Sequence, residues 1–356
     1  MMESLDHIVS QFRTKGHSHL ISPVNCGHIH ETFLAEGEES YIIQRINHDV
    51  FPDISGLMHN IHLVTTHLQK RGNAYPYLIP MLVPLKNGGL YFVDGNGGYW
   101  RMMRFIPGSL VYDKPQSTEM AGEFGKALGS FILALSDLEA GLLEVLLPGF
   151  HDLEFRWEQY TAALKSASPE RLKETGQEVR TADRFNQAMH AYSRMVREAG
   201  LPVRIIHNDT KFNNLLFNGD QRALALIDLD TVMPGYLLYD FGDAVRTLAN
   251  KAGEDEKDTC LVRFNLKMYK AFANQFIESV SPVLQEAERT SLTYAPLYIT
   301  FLQGLRFLTD HLNGDHYYHC DYFGHNLVRA ATQFVLLKDM EAKLCLMREV
   351  VEGNHC

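Results

Sequence analysis

Apolar and polar residues alternate in short runs through the first hundred positions. After that, apolar residues recur at three- and four-residue spacings over most of the chain. The early alternation predicts strands: 31–37 and 39–46 around a turn at Glu36–Glu39, then 81–85, 89–93 and 99–106 separated by Asn87-Gly88-Gly89 and Asp94-Gly95-Asn96-Gly97-Gly98. One helix interrupts them. Pro52 and Asp53 open it, with Asp53 suited to the N-cap. Ile54, Leu57, Met58, Ile61, Val64 and Leu68 form a single stripe, and Gly72 closes it. From Thr118 the period is helical, most extensively over 154–198. A strand-rich interval at 203–230 follows, and helices resume to the end. The expectation is an α+β protein of two lobes. A small sheet with one main helix spans 1–105, and a larger, mostly helical lobe spans 106–356. They join at Ile106-Pro107-Gly108, with a ligand cleft between them.

Composition narrows the classes. Of 356 residues, 46% are apolar, enough for a sizeable core and inconsistent with disorder. The net charge of −10 disfavours nucleic acid or an anionic membrane as the main partner, and nothing points to an obligatory protein partner. Cysteines at 26, 260, 320, 345 and 356 contain no CxxC pair, which suggests neither a disulfide framework nor a zinc knuckle. The first residues lack the pattern of a secretory signal, and no uncharged apolar run reaches the ~20 residues that span a bilayer. A cytoplasmic location is the resulting expectation.

The chemistry concentrates between Val203 and Gly235. Val203–Ile206 reads as an apolar strand entering His207-Asn208-Asp209. Leu215–Phe217 and Ala223–Ile227 read as a hairpin turning at 218–221. That hairpin brings Asn214 and Asp228 together at its open end, with Asp209 on the adjoining loop. An amide oxygen and a carboxylate suit a hard cation such as Mg²⁺, and a further carboxylate can orient a hydroxyl and accept its proton. The spacing His207-x-Asp209-x-x-x-x-Asn214 matches the kinase catalytic loop, a constellation that phosphoryl transfer needs. Asp230 points the same way as Asp228 and is expected to assist the cation through water. A literal Asp240-Phe241-Gly242 also occurs. It precedes a helix start, so Asp240 reads as an N-cap or a brace for the catalytic loop, not as the metal ligand.

With these residues in hand, the chain resembles the aminoglycoside/choline phosphotransferase family, small-molecule kinases with a protein-kinase-like fold. The similarity runs through GHIHETF, YIIQRINHDVFPD, HNDTKFNN, IDLDTVMPG, LYDFGDAVR, LRFLTDHLNGD and HNLVR. Within the family it points to members that phosphorylate N-acetylhexosamines. The resemblance implies ATP and Mg²⁺, with transfer to the anomeric hydroxyl of GlcNAc or GalNAc. It makes Asp209 the catalytic base and Asn214 and Asp228 the magnesium ligands. The strand YIIQR corresponds to one that normally carries a phosphate-binding Lys. Alternation puts Gln44 at that position, and helix 53–71 lacks the partner Glu, so both charges are missing together. Gln44 is expected to donate to phosphate, with Arg45 second. His28, in the loop 25–30, is placed to contact phosphate or sugar. Arg104, Phe105 and Ile106 lie where adenine would pair with the backbone.

Helix 298–312 is apolar on most sides except for a stripe of Gln303, Arg306, Asp310 and Asn313, which must face solvent or a polar cavity. Arg306 and Asp310 are the expected sugar contacts, and Tyr317 can stack on a sugar face. His311, His316, His319, Cys320 and His325 fit no standard zinc spacing. Two other readings stay open: a kinase of the same fold acting on another sugar or an amino alcohol, and a nucleotide- or sugar-binding regulator without turnover.

Overall fold

The computed structural model describes residues 4–16, 19–24 and 29–353. The N-terminal lobe is built on strands β1 (Leu20–Pro23), β2 (Glu31–Glu36), β3 (Tyr41–Ile46), β4 (Phe92–Val93) and β5 (Tyr99–Arg104), all antiparallel in the order β1-β2-β3-β5-β4. Alternation sorts its two faces. Tyr41, Ile43, Trp100 and Met102 are buried with Ile8, Val9 and Phe12, the first two on the short helix α1 (Leu5–Ser10). Gln44 and Arg101, paired across β3 and β5, point the other way, toward the second lobe. Helix α2 (Ile54–Lys70) begins where expected: the Asp53 carboxylate accepts the Gly56 N–H at 2.9 Å, and every residue of the apolar stripe is buried.

Two expected strands shrink. Residues 81–85 make isolated bridges from Leu82 to Met103 and from Leu85 to Phe12, because Pro80 and Pro84 withhold the N–H groups a ladder needs. The run 89–93 keeps only β4. Both α1 and β1 went unread in the sequence.

The C-terminal lobe contains α3 (Thr118–Ala134), α4 (Leu153–Ser166), α5 (Pro169–Glu174) and α6 (Gly176–Glu198). Strands β6 (Arg204–Ile206), β7 (Leu215–Phe217), β8 (Ala223–Leu226) and β9 (Met233–Gly235) follow. Then come α7 (Leu237–Leu248), α8 (Leu266–Val280), α9 (Glu286–Leu292), α10 (Ala295–Asn313), α11 (His325–Ala342) and α12 (Leu344–Glu352). The long helical run 154–198 is three helices. The chain leaves α4 at Ala167, Ser168 caps α5 by accepting the Arg171 N–H, and Pro169 sits in its first turn. Helices α3 and α8 lie almost backbone to backbone: a Cβ on Gly125 would stand 2.2 Å from the Phe272 carbonyl oxygen. Phe124, Phe272, Phe276 and Phe241 fill the seam below.

This is the bilobal α+β architecture expected. Among the described residues no helix is long and apolar enough to cross a membrane. Cys260 and Cys320 are free thiols, whereas Cys345 is disulfide-bonded, a bond that the sequence spacing did not suggest.

Gly125→Val is expected to cost about 2–4 kcal/mol, because backbone and not a flexible side chain blocks the added methyl groups. A lowered denaturation midpoint with an unchanged slope checks this.

Candidate active site

Strand β6 delivers His207-Asn208-Asp209 to the cleft, and the loop is bracketed from beneath. The Asp240 carboxylate accepts the N–H of His207 at 2.8 Å and of Asn208 at 2.7 Å, while Thr210 donates its hydroxyl to the Asp240 carbonyl at 2.7 Å. Asp240 is therefore the brace. It is not an N-cap, since it lies inside the first turn of α7, whose N-cap is Tyr236. Burial pushes its carboxyl up to about 6, against the pull of His207 and the two N–H donors. From the β8–β9 side, Thr231 donates to the His207 carbonyl at 2.6 Å, and the Asn208 amide donates to the Thr231 carbonyl at 3.0 Å. Asn208 adopts φ 65°, a left-handed conformation in which short polar side chains are the ones tolerated.

The β7–β8 hairpin brings its two ends together as its sequence predicts. Ile227 N–H donates to the Asn214 carbonyl at 2.9 Å, which sets Asn214 beside the residue preceding Asp228. The Asn214 amide NH₂ donates to the Asp209 carbonyl at 2.8 Å and to its carboxylate at 3.2 Å. Its Oδ1 and both Asp228 carboxylate oxygens have no hydrogen-bond donor among the described residues. Asp228 also holds a left-handed backbone, φ 60°. Its side chain is reachable by water but crowded by protein. That crowding, followed by the Asp230 and Asp209 charges, pushes the carboxyl up to about 6. Asp209 moves the opposite way. Burial raises it, but Lys211, His207, Arg246 and the Asn214 hydrogen bond together hold it below the usual carboxylate range. The Lys211 ammonium stands 3.5 Å from Asp209 and is itself pushed upward by that charge.

Asp230 has a different role from the one expected. Its oxygens meet Arg101 at 2.7 and 2.9 Å and His30 at 2.6 Å. Burial raises its carboxyl, but the charges and hydrogen bonds of Arg101 and His30 together hold it well below its usual range. The His30 Nδ1 accepts the Asn47 N–H at 3.0 Å, so its proton sits on Nε2 and is donated to Asp230. Gln44 is likewise committed. Its Oε1 accepts from Arg101 Nε at 2.9 Å and NH2 at 2.7 Å, and its amide donates to Thr32 at 3.2 Å. Arg45 lies on the other face and pairs with Glu31 at 2.9 Å.

At the hinge, the N–H groups of Arg104 and Phe105 are taken by Met81 and Ser40 at 3.0 Å each. Among the described residues the Ile106 N–H has no acceptor. The Ile106 side chain packs on Leu216 and Ala225, forming a small apolar floor between the lobes. His28 lies outside the described residues.

A cleft open to solvent runs from Asp209 toward α10. Asp209, Lys211, Asp243, Arg246, Gln303 and Arg306 line it, with Phe150, Tyr317 and Tyr318 among its walls. The Arg306 guanidinium donates to Gln303 at 3.1 Å and lies 4.7 Å over the Phe150 ring and 5.6 Å from that of Tyr318. Asp310 does not reach this cleft. Its two oxygens accept the N–H groups of His316, Tyr317 and Tyr318 at 3.1, 2.9 and 2.9 Å and the Asn326 amide at 2.8 Å. It shapes the loop that presents the tyrosines. Of the histidine-rich segment, His325 is held by Asp255 at 3.0 Å and stacks on Tyr322.

Residues 21–273 match the model of the phosphotransferase enzyme family, and the chain belongs to that family. An aminoglycoside phosphotransferase from Alicyclobacillus acidocaldarius superposes over 99% of this chain and 98% of its own, with TM-score 0.67 and 14% identity. A microcompartment-associated aminopropanol kinase superposes over 98% and 97%, with TM-score 0.63 and 17% identity. An amicoumacin kinase, solved with AMP-PNP and Ca²⁺, superposes over 99% and 93%, with TM-score 0.58 and 12% identity. The protein is a small-molecule phosphotransferase of this kinase-like fold.

Sequence reasoning missed Lys211, Asp243, His30 and Arg101. Lys211 carried a local signal, two residues beyond Asp209 in the same loop. Arg101 carried none, because its partners lie 57 and 129 residues away.

Asp240→Asn leaves one oxygen for two N–H donors. It is expected to cost about 1–3 kcal/mol of stability and to loosen the Asp209 loop, read as a lower melting temperature together with a fall in turnover.

Proposed function

We propose that the protein transfers the terminal phosphate of ATP, with Mg²⁺, to the anomeric hydroxyl of an N-acetylhexosamine such as GlcNAc or GalNAc. The observation that carries the reading is the Asp209 carboxylate, fixed by Asn214 and Lys211 at the inner end of a cleft walled by an arginine and aromatic rings. For the cation, the donor set fits: Asn214 Oδ1 and the Asp228 carboxylate are hard oxygen donors left free of hydrogen bonds. Bound there, Mg²⁺ would screen phosphate charge. The nucleotide base would lie over Ile106, Leu216 and Ala225, with the Ile106 N–H as a donor.

In the transfer, the acceptor hydroxyl oxygen attacks the γ-phosphorus, its proton passes to Asp209, and the bond to the bridging oxygen breaks to release ADP. A base held below the usual carboxylate range suits this chemistry. The loose transition state needs the hydroxyl oriented more than it needs early deprotonation. Charge in the cleft bears on the acceptor. Lys211 offsets Asp209 and Arg246 pairs with Asp243 at 2.8 Å, while the Arg306 guanidinium is bonded to Gln303 and faces rings. Arg246 is also matched by Glu254, so Arg306 is the cleft cation with no carboxylate partner among the described residues; it repels an ammonium and favours a neutral acceptor that offers it a carbonyl oxygen. This argues for an acetamido sugar over the amino alcohols that several structural neighbours are named for.

The test is a panel of GlcNAc, GalNAc, ethanolamine and an aminoglycoside, with products read by ³¹P NMR. Phosphate on the anomeric oxygen is expected, and phosphate on another oxygen, or turnover only of the amines, overturns the reading. Asp209→Asn should keep Mg–ATP binding and lose about 10²–10⁴ in kcat. Arg306→Ala should raise the acceptor KM about 10- to 100-fold with the ATP KM unchanged.

A further inference from the structure

Resting on that nucleotide reading, we propose that Arg101 is the residue that grips the nucleotide's terminal phosphates, doing from β5 the work of the lysine that β3 lacks. Gln44 holds the lysine position but has no group left for phosphate: its oxygen is occupied by Arg101 and its amide by Thr32. Arg45, beside it, turns to the opposite face and Glu31. Lys211 is tied to Asp209 on the acceptor side. Arg101 lies directly across from Gln44 in the sheet, with its side chain 2% exposed, and it reaches Asp230, two residues beyond Asp228.

One nitrogen of that guanidinium, though ion-paired, makes no hydrogen bond. Nε and NH2 donate to Gln44, and NH2 also donates to Asp230. NH1 approaches Asp230 Oδ1 to 2.7 Å but off the hydrogen-bonding direction, and it has no hydrogen-bond acceptor among the described residues. A buried charged donor that is ion-paired but makes no directed hydrogen bond can still take a further anionic oxygen. The fork of a guanidinium can hold Gln44 and Asp230 and still present N–H groups to a phosphate. A lysine ammonium has too few donors in fixed directions to do all three. The arrangement also accounts for the absence of a glutamate on α2. Asp230, reinforced by His30, takes over the partner carboxylate's part from the other lobe.

The experiment measures affinity for Mg–ATP and for adenosine by calorimetry in the wild type, Arg101→Gln, Arg101→Lys and the double variant Gln44→Lys/Arg101→Gln. Arg101→Gln should weaken Mg–ATP about 10- to 100-fold while adenosine stays within about twofold, since only the phosphates lose a partner. The double variant, with a cation restored on β3, should recover most of the ATP affinity. ATP and adenosine weakening together would make Arg101 a pin between the lobes, and no change in either would make it irrelevant to the nucleotide; both overturn the proposal. If Arg101→Gln does not fold, Arg101→Lys decides by the same ratio: ATP weakened and adenosine unchanged supports it, parallel changes end it. A wild type that binds Mg–ATP but phosphorylates no acceptor ends the kinase reading alone, and one that binds no Mg–ATP ends both.

Discussion

The cleft depends on a buried carboxylate shared between lobes. Asp230 belongs to the helical lobe, and Arg101 and His30 belong to the sheet lobe. Taking an aspartate and a guanidinium out of water costs several kcal/mol per ion. The pair survives because nearly every donor and acceptor around it is matched. Asp230 receives Arg101 and His30, Arg101 is shared with Gln44, and Gln44 is anchored by Thr32. Such a pair is sensitive to geometry, so it selects one registration of the two lobes. The left-handed turn at Asp228 and the open end of the β2–β3 hairpin, where Asn47 holds His30, are set relative to each other through it.

A second carboxylate does comparable work below. Asp240 has no exposed surface, and it uses both oxygens on consecutive backbone N–H groups of the loop that ends in Asp209. The two brackets divide the labour. Asp240 fixes the loop height and Asp230 fixes the lobe above it. Between them, Asn214 and Asp228 keep oxygen atoms uncommitted, and Asp209 keeps its carboxylate at the inner end of the cleft. Side chains with all their hydrogen bonds made are scaffold, and those left with unmet valence are available for chemistry.

The same distinction explains why some expected residues moved from contact to support. Asp310 and Gln44 have the chemistry of ligand-binding groups, and each lies on the face its periodicity implies. Both are consumed by neighbours that sequence spacing does not reveal: the N–H groups of the 316–318 loop for Asp310, and Arg101 for Gln44. Tyr317 and Arg306, by contrast, reach the cleft, because among the described residues only Gln303 and aromatic faces meet the Arg306 guanidinium.

Local pattern was enough for the α+β architecture, the capped α2 and the hairpin that joins Asn214 to Asp228. Each rests on residues close in the chain, where turn geometry and side-chain period decide the outcome. It failed where prolines starved 81–85 of ladder donors and where Ser168-Pro169 broke a helical period that apolar spacing alone carries through. The Arg101–Asp230 bridge, the tautomer of His30 and the spent valence of Gln44 and Asp310 were settled only by folding. They join residues many tens of positions apart, and a hydrogen bond is won by whichever partner the tertiary structure brings within about 3 Å.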